Sequence, residues 1–154
     1  MAVRLAGTLW GLIAFACSAG CERNPVANYP ARYPFAYVQR DCGPTDGEAL
    51  KFYFAINESL LGKYREPFLL ISINEDVSNS APKDYSIKPG KYALLGSRCL
   101  SPGKCDAASS GYLHVTTFSR EGVTGKYELH FQDGKVEGDS FAARWYVVKQ
   151  LTCG

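Results

Sequence analysis

The sequence predicts an all-β fold: a single antiparallel β-sandwich of about seven to eight strands. Three observations carry that expectation. Short stretches alternate apolar and polar residues with the two-residue period of a strand. The clearest is 126–131, where Tyr127, Leu129 and Phe131 share one side and Lys126, Glu128 and His130 the other. Clusters of Gly, Pro, Asn and Asp interrupt these stretches at short intervals. Ten Tyr, eight Phe and two Trp make the chain rich in the ring side chains that suit a pleated surface.

The elements follow in order. Tyr33 to Gln39 is a first strand, closed by the turn signal Cys42-Gly43-Pro44-Thr45-Asp46-Gly47. Ala49 to Ile56 alternates, with Leu50, Phe52 and Phe54 on one face. Glu58 to Tyr64 could form a helical turn. Pro67 to Asn74 groups Leu69, Ile71 and Ile73, and Lys91 to Cys99 follows the turn Lys88-Pro89-Gly90. Gly111 to Ser119 and Gly125 to Gln132 flank Glu121-Gly122. Asp133-Gly134 is a tight-hairpin signal leading into Gly134 to Leu151, with a bulge expected near Gly138.

At 154 residues the chain suits one domain with a sizeable core. Its net charge of +2 includes no run of Lys or Arg. Nucleic-acid capture requires a basic patch making many phosphate contacts, so that class is set aside.

The N-terminus reads differently. One cation, Arg4, precedes Leu5 to Gly20, which carry no charge. That run is shorter than the roughly 20 residues of a membrane-spanning helix and fits a secretory signal peptide, here residues 1–20. Its end, Ser18-Ala19-Gly20-Cys21, resembles the lipobox of bacterial lipoprotein precursors, with Ser18 where the family prefers Leu. The resemblance covers only the first 21 residues. It implies cleavage before Cys21 and a diacylglycerol thioether on that cysteine. The other reading is cleavage after Ala14-Phe15-Ala16, which leaves Cys17 first and a periplasmic or secreted soluble protein. Residues 21–31 then form a lipidated start and a short Pro- and Asn-containing tether, and residues 32–154 the folded domain. In Gram-negative sorting, Glu22 after the lipidated cysteine, instead of Asp, implies the outer rather than the inner membrane.

With Cys17 removed and Cys21 lipidated, Cys42, Cys99, Cys105 and Cys153 remain. Three pairings are open to four cysteines. The five-residue loop between Cys99 and Cys105 favours Cys99–Cys105, which leaves Cys42–Cys153. In the chain-entropy model these contribute about 2.4 and about 5 kcal/mol as upper figures. The spacing lacks a C-x-x-C unit, so no zinc site is expected.

Candidate chemistry is sparse. His114 and His130 are the only histidines, and a catalytic role would need them close together beside a carboxylate. His130 shares the polar face of its strand with Lys126 and Glu128 and is expected to face solvent. Asp41, Asp46 and Glu48 could supply oxygens to Ca²⁺, although the spacing is not that of an EF-hand. Asp133, Glu137 and Asp139 form a second acidic group. Pro102, Gly103 and Lys104 are the tip of the loop closed by Cys99 and Cys105, whose bracing would lower the entropy cost of recognition. Tyr112, Tyr127, Trp145 and Tyr146 could form a sugar-stacking row, but Trp145 and Tyr146 have opposite parity.

These readings lead to an envelope lipoprotein acting as a non-catalytic binding or structural module, with no cofactor. Its partners would be the membrane, through the lipid, and a glycan or an envelope protein. The alternatives are a carbohydrate-binding module, which requires an exposed aromatic row, and a small hydrolase, which requires a histidine beside a carboxylate in a pocket.

Overall fold

The computed structural model describes residues 33–44, 47–58, 67–74, 83–101, 103–146 and 153. They form eight strands and, among the described residues, no α-helix: β1 (Phe35–Cys42), β2 (Glu48–Ala55), β3 (Phe68–Ile73), β4 (Lys83–Ser86), β5 (Leu94–Ser101), β6 (Lys104–Phe118), β7 (Gly122–Phe131) and β8 (Val136–Trp145). The expected signal peptide, the tether and residues 59–64 of the expected helical turn lie outside the described residues.

The all-β expectation holds, but the sandwich is corrected to a barrel. Hydrogen-bonded neighbours run β6-β5-β3-β2-β1-β8-β7, and β7 pairs again with β6, so seven strands close on themselves. Strand β4 lies on the same edge of β6 as β5, further along: β5 takes positions up to Ala107 and β4 takes 112–115. A sandwich and a barrel both ask each strand to bury one face, so alternation fits either. The deciding contact is β1 with β8, at Tyr37↔Arg144 and Val38↔Trp145. That pair is parallel and every other is antiparallel. A ring of strictly alternating directions needs an even number of strands, so seven must leave one parallel seam.

Inside the ring, Leu50, Phe52 and Phe54 from β2 meet Leu69, Ile71 and Ile73 from β3, and Val123, Tyr127, Leu129 and Phe131 from β7. Each is almost fully buried, and burying one such side chain is worth roughly 1.5–3 kcal/mol. Phe141 from β8 stands edge-on to Phe52 and Phe54, with ring centroids 5.5 and 5.4 Å away, and Phe54 lies 4.7 Å from Tyr127. The interior is thus filled by rings from opposite walls. Gly96 lets β5 come close: a Cβ there would fall 2.8 Å from both methyls of Leu129.

The expected bulge at Gly138 does not form; β8 stays in register with β7 from Val136 to Arg144. The irregularities are in β6, at Ala108/Ser110 and Val115/Thr117. At 15 residues β6 is the longest strand and must turn with the barrel wall, and each bulge adds local bend and twist. Gly111 follows the first bulge with φ +144°, and a Cβ on it would meet the Glu128 carbonyl at 2.3 Å.

The Cys99–Cys105 disulfide and the β7–β8 turn lie together at one end of the barrel, where β6 begins and β7 ends, and we call this the stapled end. The turn after Cys42 and the β6–β7 turn at 119–121 belong to the other end.

Candidate functional site

Both expected disulfides form. Cys99–Cys105 joins a directly opposed pair with Cα atoms 4.0 Å apart, and Cys42–Cys153 closes 111 residues with Cα atoms 5.6 Å apart. Cys21 lies outside the described residues. So does Pro102, whereas Gly103 (φ +78°) and Lys104 turn outward at the stapled end.

The carboxylate groups of the sequence do not converge. Asp41 and Glu48 have opposite parity on the β1–β2 hairpin and take different cations, Lys51 at 2.8 Å and Arg40 at 3.3 Å. Asp46 lies outside the described residues. Asp133 accepts from Arg98, the buried Glu137 accepts from the Tyr33 hydroxyl at 3.3 Å, and Asp139 accepts from the Ser140 amide. Among the described residues no group of three or more metal-ligating side chains comes together.

The histidines are also apart. His114 pairs with Asp84 across β6–β4, and His130 pairs with Glu128 at 2.7 Å along β7. His114 is opposite Lys126, four residues before His130, so roughly 13 Å of strand separates the two. Both are on the outer wall, because the intervening Tyr127 and Leu129 fill the interior. The solvent-facing expectation for His130 is met. The aromatic candidates scatter: Tyr127 is in the core, Tyr112 is on the outer wall, and Trp145 packs against Phe118 and donates from Nε1 to the Ser119 carbonyl at 2.9 Å. Tyr146 follows the end of β8. No row of these rings forms.

What the structure brings together instead is a cleft of about 290 Å³ on the outer wall of β2, β3 and β5. Its floor is two cross-strand rows of outward residues, Lys51–Ser72–Leu95 and Leu70–Ser97. Its side is the turn Cys42-Gly43-Pro44, held by a hydrogen bond from the Gly43 amide to the Gly47 carbonyl at 2.7 Å. Asn74 locks the corner: it accepts from Ser72 Oγ at 2.7 Å and donates to the Tyr92 carbonyl at 2.6 Å. The Ser72 hydroxyl is therefore committed and its residue nearly buried, which unsuits it as a nucleophile.

One charge pair borders the cleft. Asp41 beside Lys51 is held below the ordinary carboxylate value. Partial burial pushes it up, but hydrogen bonds from Lys51, the Cys42 amide and Gln39, with the Lys51 charge, outweigh that. The cleft thus offers two leucines and the Ser97 hydroxyl, with the Lys51 ammonium at its border already paired to Asp41. That set suits a small, largely apolar, uncharged ligand carrying one hydrogen-bonding group.

Arg98 was not singled out by the sequence. It pairs with Leu69 on β3, so it points inward where β5 reaches the stapled end. Its guanidinium covers the Phe131 ring at 4.3 Å and bridges Asp106 (3.1 Å) and Asp133 (2.8 Å). The available signal was parity with Leu94 and Gly96. Arg98 plugs an end of the core and is not in the cleft.

No protein family, curated protein or solved structure matches this chain.

Proposed function

We propose that the chain is an exported, membrane-anchored envelope lipoprotein, cleaved after Gly20 and lipidated at Cys21. Its barrel acts as a non-catalytic binding module that takes its ligand in the outer-wall cleft. The observation that carries the binding part is the contrast between a barrel interior filled by phenylalanine, tyrosine and leucine and an open 290 Å³ depression on the outside. Export is supported by the two disulfides, which persist in oxidising compartments. The two histidine–carboxylate pairs lie away from the cleft, which favours binding over hydrolysis.

Mass spectrometry of the mature N-terminal peptide tests the anchor. A peptide beginning at acylated Cys21 is expected; an unmodified start at Cys17 overturns it. A fragment screen read by amide shifts tests the cleft. Responses should cluster at Ser72, Leu95 and Ser97 and vanish in Ser97→Trp, which fills the floor. Shifts clustered elsewhere and unchanged by Ser97→Trp would move the site.

A further inference from the structure

We infer that the cleft selects an uncharged hydroxyl compound, an alcohol or phenol whose hydroxyl bridges Ser97 and Ser72 while its compact apolar frame covers Leu70 and Leu95. The inference rests on the cleft reading above and names the chemistry of its ligand.

Hydrogen-bond accounting fixes the sense of each polar group. The Tyr92 carbonyl can only accept, so the Asn74 side chain turns its Nδ2 toward it, at 2.6 Å. That leaves Asn74 Oδ1 facing Ser72. An amide oxygen can only accept, so the single hydroxyl proton of Ser72 points at Asn74, at 2.7 Å. Ser72 Oγ therefore offers the cleft lone pairs and no proton. Ser97 is the opposite case: among the described residues no hydrogen bond engages its hydroxyl, which is free to donate. The Lys51 ammonium is held by Asp41 at 2.8 Å, so the border presents no spare positive charge to an anion.

The register puts this acceptor and this donor within reach of one atom. Ser72 is opposite Leu95 and Ser97 is opposite Leu70, so the four side chains make a square with the serines on one diagonal and the leucines on the other. Diagonal neighbours on antiparallel strands have Cβ atoms about 7 Å apart or less. A ligand oxygen with a hydrogen bond of about 2.8 Å on each side spans most of that gap. It has to accept from Ser97 and donate to Ser72. A hydroxyl does both; a ketone, an ether or a carboxylate only accepts, and leaves the Ser72 lone pairs without water or partner. One water also satisfies both serines, but it fills about 30 Å³ of a cleft of about 290 Å³. A hydroxyl on an apolar frame meets the same two serines and removes leucine surface from water as well.

A panel built on one ring tests this in the full chain by amide shifts: cyclohexanol, cyclohexanone, cyclohexyl methyl ether and cyclohexanecarboxylate. Cyclohexanol is expected to shift Ser72, Leu95 and Ser97 and to bind about tenfold more tightly than the ketone or the ether. The carboxylate should leave those amides unmoved. Phenol against anisole repeats the comparison on a flat ring, and either hydroxyl probe ahead of its ether supports the inference. Ser97→Ala should weaken alcohol and ketone alike, because both accept from Ser97. Ser72→Ala should weaken the alcohol alone and bring it level with the ketone. Equal affinity for the hydroxyl probes, the ketone and the ethers, or tightest binding by the carboxylate, overturns the inference and leaves a binding cleft standing. Shifts that avoid the cleft for every probe, or that persist in Ser97→Trp, overturn the cleft reading and this inference with it. Near-ultraviolet circular dichroism confirms that each variant is folded, and the wild-type ranking decides the matter if Ser72→Ala does not fold.

Discussion

The two disulfides secure very different parts of the wall. Cys99–Cys105 joins strands that are consecutive in the chain, six residues apart, in a wall where β6 and β7 also pair at nine positions. Cys42–Cys153 ties the end of β1 to the segment that follows β8, across 111 residues, where the parallel seam has two paired positions and one further bond from the Tyr146 amide to the Val38 carbonyl. The covalent bond with the long loop stands where the hydrogen-bond ladder is shortest. The comparison teaches that barrel closure here is a long-range event with little local support, whereas the β5–β8 wall is built from hairpins that form from neighbours in sequence.

The sharpest way to break that contrast is to remove the seam disulfide. Cys42→Ser with Cys153→Ser should lower stability by up to about 5 kcal/mol. At about 3–4 °C per kcal/mol, calorimetry should show a fall of roughly 15–20 °C in Tm. A fall of only a few degrees would mean that the seam hydrogen bonds and the core suffice to close the ring.

Next comes the core that spans the seam from within. Phe54 reaches from β2 to Tyr127 on β7 and Phe141 on β8. Phe54→Ala should cost about 3–5 kcal/mol in denaturant unfolding. Combined with the seam double variant it should cost more than the separate losses predict, because Phe141 stands on the strand the disulfide secures. Simple additivity would show that the interior and the seam act independently. The staple is the smaller case: Cys99→Ser with Cys105→Ser should lose no more than about 2.4 kcal/mol, with amides at 104–107 still slow to exchange.

The same contrast explains what could be read from the sequence. Alternation at Leu50, Phe52 and Phe54 and at Tyr127, Leu129 and Phe131 named the inner face correctly, because inner and outer residues differ by a single step. Cysteine spacing identified both disulfides, since a five-residue loop brings its own ends together. Closure was not legible. Whether β1 meets β8 depends on twist summed over seven strands, and no residue of either strand encodes it. Arg98 was missed because a cation at the end of a strand reads as solvated until its partner row, Leu69 on β3, is known to face inward. The cleft combines outer residues of three strands with a turn between two of them, so no single segment announces it. Glycine misled at position 138, where the strand stays in register, while the true bulges occur at Ala108/Ser110 and Val115/Thr117.

The smallest expected effect compares one carboxylate from each end. Asp41 lies near the seam disulfide, with its side chain and that of Lys51 each about a quarter exposed (26% and 25%). Asp133 lies at the stapled end, more open to water, and is also held below the ordinary value, chiefly by the hydrogen bond from Arg98. A depressed folded-state value means that the native state favours the charged carboxylate. Its stabilising effect is present above the unfolded-state value, near pH 4, and is lost as pH falls through the folded-state value. Urea midpoints of wild type and Asp41→Asn should therefore differ by a constant amount from pH 7 to about pH 5 and converge below about pH 4. Asp133→Asn should show the same sign with a smaller gap that shrinks further in high salt, because water and ions screen it more. If the Asp133 gap instead equals or exceeds that of Asp41, the Arg98 bridge secures the hairpin end as strongly as the ion pair secures the seam, and the contrast between the two ends is one of topology alone.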